Sequence, residues 1–311
     1  MDKDIKKSIE RNYALVIKTV KAAPRSFVAE TWFIKTDTES YFVKIVDKEL
    51  FIPEIIAGLP ALNALHEAGI ERINWPIPIV SGEFYFMHNK TLVALFNFIN
   101  ARQSYDYSEA ALGELLASIH QITPRIKVKI PEENYEYQYK ERFARQFRGI
   151  LSGELAADPL LPDMQKVLKK HEARINFQYQ RLQELTEQIK KLKLVKVITH
   201  GDAGGNTLVK GFNDIFIIDW DGMLLAPAER DTWVPARDFL DGYRRIIPGF
   251  EPHPVSIDFY TLMYYFRSMA QYFAEIISTK PEAHRRKNLR DLEHSFYDGW
   301  MVPYLIKSQA Y

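Results

Sequence analysis

The sequence contains no cysteine. Disulfides, thiolate catalysis and cysteine-ligated zinc are therefore excluded. It has no surplus of either charge: 41 Lys and Arg stand against 40 Asp and Glu, a net charge of +1. Nothing in that balance points to nucleic acid or to an anionic membrane as a partner. No uninterrupted apolar run approaches the length of a membrane span. The first residues, MDKDIKKSIERNY, are charged and helix-like, unlike a signal peptide, and a cytoplasmic protein is expected. An apolar content of 47% and a charged content of 26% are those of a globular chain. At 311 residues it exceeds one ordinary core, so two lobes or two domains are expected.

The first hundred residues are rich in β-branched and aromatic side chains. TWFIK (31–35), the turn TDTE and SYFVKIV (40–46) predict a hairpin. Pro53 suits the first turn of a helix that continues from Glu54, with Gly58 and Pro60 weakening its start. Further short strands are predicted at INWPIPIV (73–80), GEFYFM (82–87) and TLVALFNFI (91–99). After Ala101 helices take over: 108–122 behind a capping serine, a second over Tyr135–Leu151, and the longest over 162–193. Short strands return at 194–200, 206–210 and 214–220, and Pro235 to Tyr311 reads as helical. The expectation is an α+β, bilobal plan: a strand-rich lobe over 1–97, a connector near Phe96–Ala101, and a mainly helical lobe over 98–311 with a helical insertion at about 131–194.

The chemistry concentrates between His200 and Asp231. ITHGDAGGNTLV (198–209) follows an apolar strand, and a second strand ends in IIDWD (217–221). Phosphoryl transfer needs a carboxylate near the attacking hydroxyl, and an Asn and an Asp whose oxygens hold Mg²⁺ on the phosphates. Asp202, at a loop apex, can face a substrate. Asn206 and Asp219, at the start and end of neighbouring strands, can converge on one cation. Taken singly, an Asp or Asn in a glycine-rich turn is ordinary turn chemistry; the ordered set is what argues for function.

These segments, with IIDWDGMLLAPAERD and more loosely YFVKIV and ALFNFINA, resemble the aminoglycoside phosphotransferase family, which is built on the protein-kinase fold. APAERD and the long helical insertion are most similar to its spectinomycin-kinase branch. The resemblance implies an ATP- or GTP-dependent, Mg²⁺-dependent kinase acting on a small-molecule hydroxyl. It implies Asp202 as the base that deprotonates the acceptor, Asn206 and Asp219 as Mg²⁺ ligands, and His200 as a brace of the loop. Asp231 would tie down the loop backbone, although a plain helix cap is the competing reading. Asp221 is a further acid without an assigned role. The family pattern has four residues between its Asp and Asn where this chain has three; Gly204 and Gly205 are expected to absorb the difference in backbone conformations closed to other residues.

In YFVKIV, Lys44 shares a strand face with Phe42 and Val46 and is the candidate for the nucleotide phosphates, with Lys35 and Lys18 as rivals. Glu54 is its expected ion-pair partner, with Glu49 as a substitute. The connector would offer backbone groups to the base, with Phe96, Phe98 and Ile99 as apolar contacts. A glycine-rich phosphate loop is missing: KAAPRSFVAETW (21–32) offers Ser26 but no glycine.

Cationic acceptors call for carboxylates. The late helix at 258–278 is aromatic, with Leu262, Phe266, Met269 and Phe273 forming a core stripe and Tyr264, Tyr265 and Tyr272 as candidates to face a cleft. Asp238 and Asp241 are the better acidic candidates, with surface solvation as their competing reading. A kinase-like binding or structural protein without activity is the alternative function, motivated by the shortened loop and the absent glycine loop. A hydrolase using the same metal site is a third.

Overall fold

The structure is a computed structural model that describes residues 1–24, 28–154, 158–232 and 237–296. The described residues of 1–133, 195–231 and 235–250 pack as one unit, and those of 134–194, 232–234 and 251–311 as another. In chain order the elements are helix α1 (Lys3–Asn12), strands β1 (Thr19–Ala22), β2 (Glu30–Lys35) and β3 (Ser40–Val46), and helix α2 (Ile52–Glu67). Strands β4 (Phe86–His88), β5 (Thr91–Asn97) and β6 (Arg102–Gln103) and helix α3 (Glu109–Ile122) complete the first run. Helices α4 (Lys140–Ser152) and α5 (Leu161–Ile189) follow, then strands β7 (Lys196–Thr199), β8 (Thr207–Gly211), β9 (Asp214–Ile217) and β10 (Leu224–Pro227). Helices α6 (Glu229–Thr232), α7 (Arg237–Ile246), α8 (Pro254–Ile276) and α9 (Glu282–Ser295) end the described chain.

The expected hairpin is present as β2 and β3, paired Glu30↔Ile45 through Lys35↔Ser40. It sits in a five-stranded antiparallel sheet of order β1-β2-β3-β5-β4. Because side chains alternate along a strand and partners across antiparallel strands share a face, the register puts Thr19 and Lys21, Thr31, Phe33 and Lys35, Ser40, Phe42 and Lys44, and Ala94 and Phe96 on one side. The other side carries Ile34, Val43, Ile45, Val93 and Leu95, buried with Ile9 of α1. INWPIPIV forms no strand. It makes only isolated bridges, Ile73↔Ile217 and Pro76↔Phe96, because Pro76 and Pro78 have no N–H to give a ladder. GEFYFM contributes to β4 only from Phe86.

Ser108 caps α3, its hydroxyl accepting from the Ala111 N–H at 3.2 Å. Two small sheets, β7 with β10 and β6-β8-β9, complete the first unit and carry the His200–Asp221 region between them. In the second unit α4 begins at Lys140, not near Tyr135, since Tyr135 has a φ of 58° that a helix cannot accommodate. Phe143 and Phe147 of α4 stack with Phe273 of α8. Leu262, Phe266, Met269 and Phe273 are fully buried as the periodicity predicts, and Tyr265 is buried with them. Among the described residues no helix is long and apolar enough to cross a membrane.

Helices α3 and α7 touch backbone to backbone. A Cβ at Gly113 would lie 2.1 Å from the Phe239 carbonyl oxygen, and one at Gly242 would lie 2.1 Å from that of Ala110. Neither obstacle is a side chain that could rotate away. Either Gly113→Ala or Gly242→Ala should therefore lower stability by about 1–3 kcal/mol or more, read as a reduced midpoint in urea unfolding.

Candidate active site

The loop after β7 is built around one buried carboxylate. Asp231, whose side chain has no exposed surface, accepts from the His200 N–H at 2.9 Å and the Gly201 N–H at 2.5 Å. It also lies 3.1 Å from His120 Nε2. A carboxylate can only accept, so Nε2 of His120 is the donor, and the Tyr243 hydroxyl lies 2.7 Å from Nδ1 of that ring. Burial works against charge on Asp231, but hydrogen bonding from His120 and the charges around it outweigh burial and hold its pKa below the ordinary carboxylate value.

His200 braces the loop from inside. Its Nδ1 accepts from the Asp202 N–H at 3.1 Å, which leaves the proton on Nε2 to be donated to the Ile218 carbonyl at 2.9 Å. Its ring meets Trp220 edge-on, with centroids 4.7 Å apart. Gly201 has a φ of 83°, and a Cβ there would lie 2.4 Å from Nη2 of Arg230. The backbone conformation is what favours glycine, and any side chain there would also have to displace the guanidinium. The Arg230 guanidinium donates to Thr199 Oγ1 and to the Gly222 carbonyl, each at 2.8 Å, and so clamps the loop to the turn after Asp219.

The short Asp-to-Asn spacing is absorbed differently from the expectation. Neither Gly204 nor Gly205 takes a positive φ. Residues Gly204–Asn206 instead form one turn of 3₁₀ helix, whose i→i+3 bonds span the loop with one residue fewer. The Asn206 N–H donates to the Ala203 carbonyl at 3.0 Å. A Cβ at Gly205 would lie 3.3 Å from Asp202 Oδ1, so a side chain there would nudge that carboxylate. The Asn206 amide donates through Nδ2 to the Asp202 carbonyl at 2.9 Å, which leaves Oδ1 as its free acceptor. The Ile218 N–H donates to the Asn206 carbonyl at 2.9 Å, so the residue before Asp219 is tied to Asn206 directly.

Asp219 has φ 64° and ψ 61°, a left-handed conformation that Asp tolerates better than most residues at a cost of about 1 kcal/mol. Its carboxylate is 37% exposed and lies 2.7 Å from Lys44 Nζ; that of Asp221 lies 2.5 Å from the same ammonium. Burial disfavours charge on Lys44, but Asp221 and Asp219 together outweigh it and raise the lysine pKa. Burial likewise opposes charge on Asp219, yet Lys44 draws its pKa down. Asp221 is pushed up, mainly by burial, with the Asp219 charge adding to it against the pull of Lys44.

Asn206, Asp219, Asp221 and Lys44 line a cavity of about 680 Å³ in the first unit, with Phe33, Phe42, Phe96, Phe98 and Ile99 among its apolar walls. This is the sheet face picked out by the strand alternation, and Lys21, Lys35 and Arg102 stand exposed around it. The expected Lys44–Glu54 ion pair does not form; among the described residues Asp219 and Asp221 take that ammonium. Glu54 sits in the exposed first turn of α2, near enough to Asp221 that burial and then that charge raise its pKa. Glu49 pairs with Lys90 and Lys18 with Asp37. Ser26 lies outside the described residues. Asp238 and Asp241 are exposed on α7 and do not line the cavity. Three contributors were not anticipated: His120, a lone histidine on an apolar helix face with no local signal; Arg230, legible only as the neighbour of Asp231; and the pairing of Asp221 with Lys44.

Among the described residues no group of three or more His, Asp or Glu forms a metal cage. Two oxygen donors facing a cleft nevertheless suit Mg²⁺, which commonly takes one or two protein ligands and completes its shell with phosphates and water. The two carboxylates on Lys44 also leave negative charge there uncompensated, which favours a cation.

The sequence model of the phosphotransferase enzyme family matches residues 19–245. Solved structures similar to this chain include spectinomycin phosphotransferase APH(9)-Ia in complex with ADP and spectinomycin, at 18% identity, TM-score 0.75, and coverage of 99% of this chain and 98% of that one. A microcompartment-associated aminopropanol kinase is similar at 14% identity and TM-score 0.67, covering 95% and 97%. An aminoglycoside phosphotransferase from Alicyclobacillus acidocaldarius is similar at 13% identity and TM-score 0.65, covering 99% and 96%. At these identities the likeness is one of fold. No curated protein matches the sequence.

The depressed pKa of Asp231 sets the sign of a pH effect. Its stabilisation is complete above the ordinary carboxylate pKa of about 4 and is lost as pH falls through the lower folded value. Asp231→Asn should cost on the order of 3 kcal/mol at pH 7, and thermal melts from pH 7 to 2.5 should show the gap to wild type closing on the acid side.

Proposed function

This chain belongs to the phosphotransferase enzyme family, and on that footing we propose that it transfers the terminal phosphoryl group of ATP or GTP to a hydroxyl of a small molecule. The observation that carries the reading is the convergence of Lys44, Asn206 and Asp219 on one cavity, with Asp202 held on the loop that ends at Asn206. We read residues 1–97 as the nucleotide-binding lobe and 98–311 as the lobe of catalysis and acceptor, with the helical insertion at about 131–194. A cytoplasmic setting accords with the use of a nucleoside triphosphate.

In the proposed reaction Asp202 orients the acceptor hydroxyl and takes its proton as the oxygen attacks the terminal phosphorus. The bond to the departing nucleoside diphosphate breaks in the same displacement. Asn206 Oδ1 and the Asp219 carboxylate would hold Mg²⁺, which neutralises phosphate charge when bound. Lys44 contributes its ammonium to the phosphates, and Phe96, Phe98 and Ile99 enclose the base. His200 and Asp231 keep Asp202 placed, so little reorganisation is left to the reaction itself.

The acceptor we propose is an aminoglycoside, an aminocyclitol or a related sugar or amino alcohol. Its support is the placement of acids beside the loop: Glu109, which has Asp238 near it, lies two residues from Tyr107, whose hydroxyl donates to the Gly204 carbonyl at 3.1 Å. Asp238 and Asp241 are candidates to meet a cationic group there. Neighbours of the same fold include an amicoumacin kinase and a macrolide 2'-phosphotransferase. An inactive kinase-like binding protein is disfavoured because the shortened loop keeps Asn206 and Asp219 on one cavity.

A coupled assay across aminoglycosides, aminocyclitols, macrolides and amino alcohols should find turnover that requires both Mg²⁺ and the acceptor. Asp202→Ala should then lower kcat by about 10²–10⁴-fold with an unchanged melting temperature. Wild-type rates in that variant would overturn the assignment, and nucleotide hydrolysis without acceptor would indicate a hydrolase.

A further inference from the structure

We infer that Asp221, rather than Glu54 of α2, is the carboxylate that positions Lys44 while nucleotide is bound. This rests on the phosphotransferase reading above and names a positioning residue within that site.

Lys44 is 5% exposed, and its ammonium has two carboxylate partners, Asp219 at 2.7 Å and Asp221 at 2.5 Å. An ammonium at that depth needs an anionic partner in every state of the protein, since an unpaired buried charge is far more costly than a paired one. The proposed reaction engages Asp219 with the metal. Phosphate meets the ammonium from the cleft, and on the protein side the acids near it that are left to hold it, among the described residues, are Asp221, in contact, and Glu54.

Glu54 is poorly placed for that task. It lies in the exposed first turn of α2, started by Pro53, and makes no ion pair with Lys44. Moving it inward would set a third carboxylate beside two others, with like-charge repulsion opposing the approach.

Asp221 is already in contact, and the backbone around it is fixed on both sides. It occupies a 3₁₀ turn closed by the Met223 N–H donating to the Trp220 carbonyl at 3.0 Å. Trp220, before it, is buried and donates its indole N–H to the Ile217 carbonyl at 3.2 Å. Gly222, after it, accepts from Arg230 at 2.8 Å. The anchor of Lys44 therefore comes from the same turn that presents Asp219, and it requires no displacement of α2. Nucleotide would meet a lysine already in position, with Asp219 released to the metal and Asp221 retained.

The test is ATP binding by calorimetry to the full chain, in EDTA and in Mg²⁺, for wild type, Asp221→Asn, Asp221→Glu, Glu54→Gln, Lys44→Met and the Lys44→Met/Asp221→Asn double variant. Asp221→Asn should weaken ATP binding by about tenfold, the scale of one charge-assisted hydrogen bond. KM for ATP should rise by a similar factor, with a smaller effect on kcat. Asp221→Glu should recover most of the loss, and Glu54→Gln should cost clearly less than Asp221→Asn. In the Lys44→Met background Asp221→Asn should cost nothing further, whereas a merely structural role would persist there. If Asp221→Asn fails to fold, the ranking of Asp221→Glu against Glu54→Gln decides: binding kept by the first and lost in the second overturns the inference. The same inversion overturns it if all variants fold. Absence of ATP binding by the wild-type chain would remove the phosphotransferase reading, and the inference with it. ATP binding with the inverted ranking removes the inference alone.

Discussion

The candidate site hangs on one buried carboxylate. Asp231 gathers two consecutive backbone N–H groups, from His200 and Gly201, and a histidine from α3. Those N–H groups belong to a loop that has left its strand and has no ladder partner of its own. Once they are fixed, the His200 ring can reach back to the Asp202 N–H and across to Ile218. Asp202, Asn206 and Asp219 thus owe their relative placement to His200 and Asp231, which lie outside the cavity lining. Such indirect support is what a preorganised site requires, because side chains on a loop are only as precise as the backbone beneath them.

The cleft itself follows from strand periodicity. One face of the five-stranded sheet carries three lysines and three phenylalanines at alternating positions, and the same residues reappear as the cavity lining. Apolar walls and basic groups on one side oppose acids on the other, with Lys44 between them. That division suits a ligand with a flat apolar part and a chain of negative charge. It offers cationic side chains around a cavity for which the sequence provides no glycine-rich loop.

Much of this was legible in the residues. The hairpin, the long helices and the strands around HGDAGGN could be read because alternation and helical periodicity are local properties of a sequence. Asp202, Asn206 and Asp219 stood out because an ordered set of acids and an amide between apolar strands is uncommon. What remained hidden is contact between distant positions. His120 meets Asp231 across 111 residues and Lys44 meets Asp219 across 175, and neither separation leaves a periodic mark. The Glu54 expectation depended on which way the first turn of a helix would face, a detail that Pro53, Gly58 and Pro60 obscure. The two prolines of INWPIPIV do mark that segment in the sequence, since neither has an N–H to give a ladder. Likewise the loop glycines invited an unusual backbone where a 3₁₀ turn was the simpler way to save one residue.

The Arg230 guanidinium fills the space that a side chain at position 201 would occupy, so the two positions are not independent in descent. A lineage that gave up the arginine would lose the bridge between Thr199 and Gly222 and open room above the loop, yet the φ of Gly201 would still resist any larger residue. The reverse order, a larger residue first, would meet the guanidinium before any compensation existed. The two positions therefore differ in freedom: position 230 can change while Gly201 stays, whereas a side chain at 201 asks both for the guanidinium to move and for the loop to accept a left-handed residue. In a set of relatives, exchanges at 230 should be found on an unchanged glycine, and a side chain at 201 should accompany a rebuilt loop.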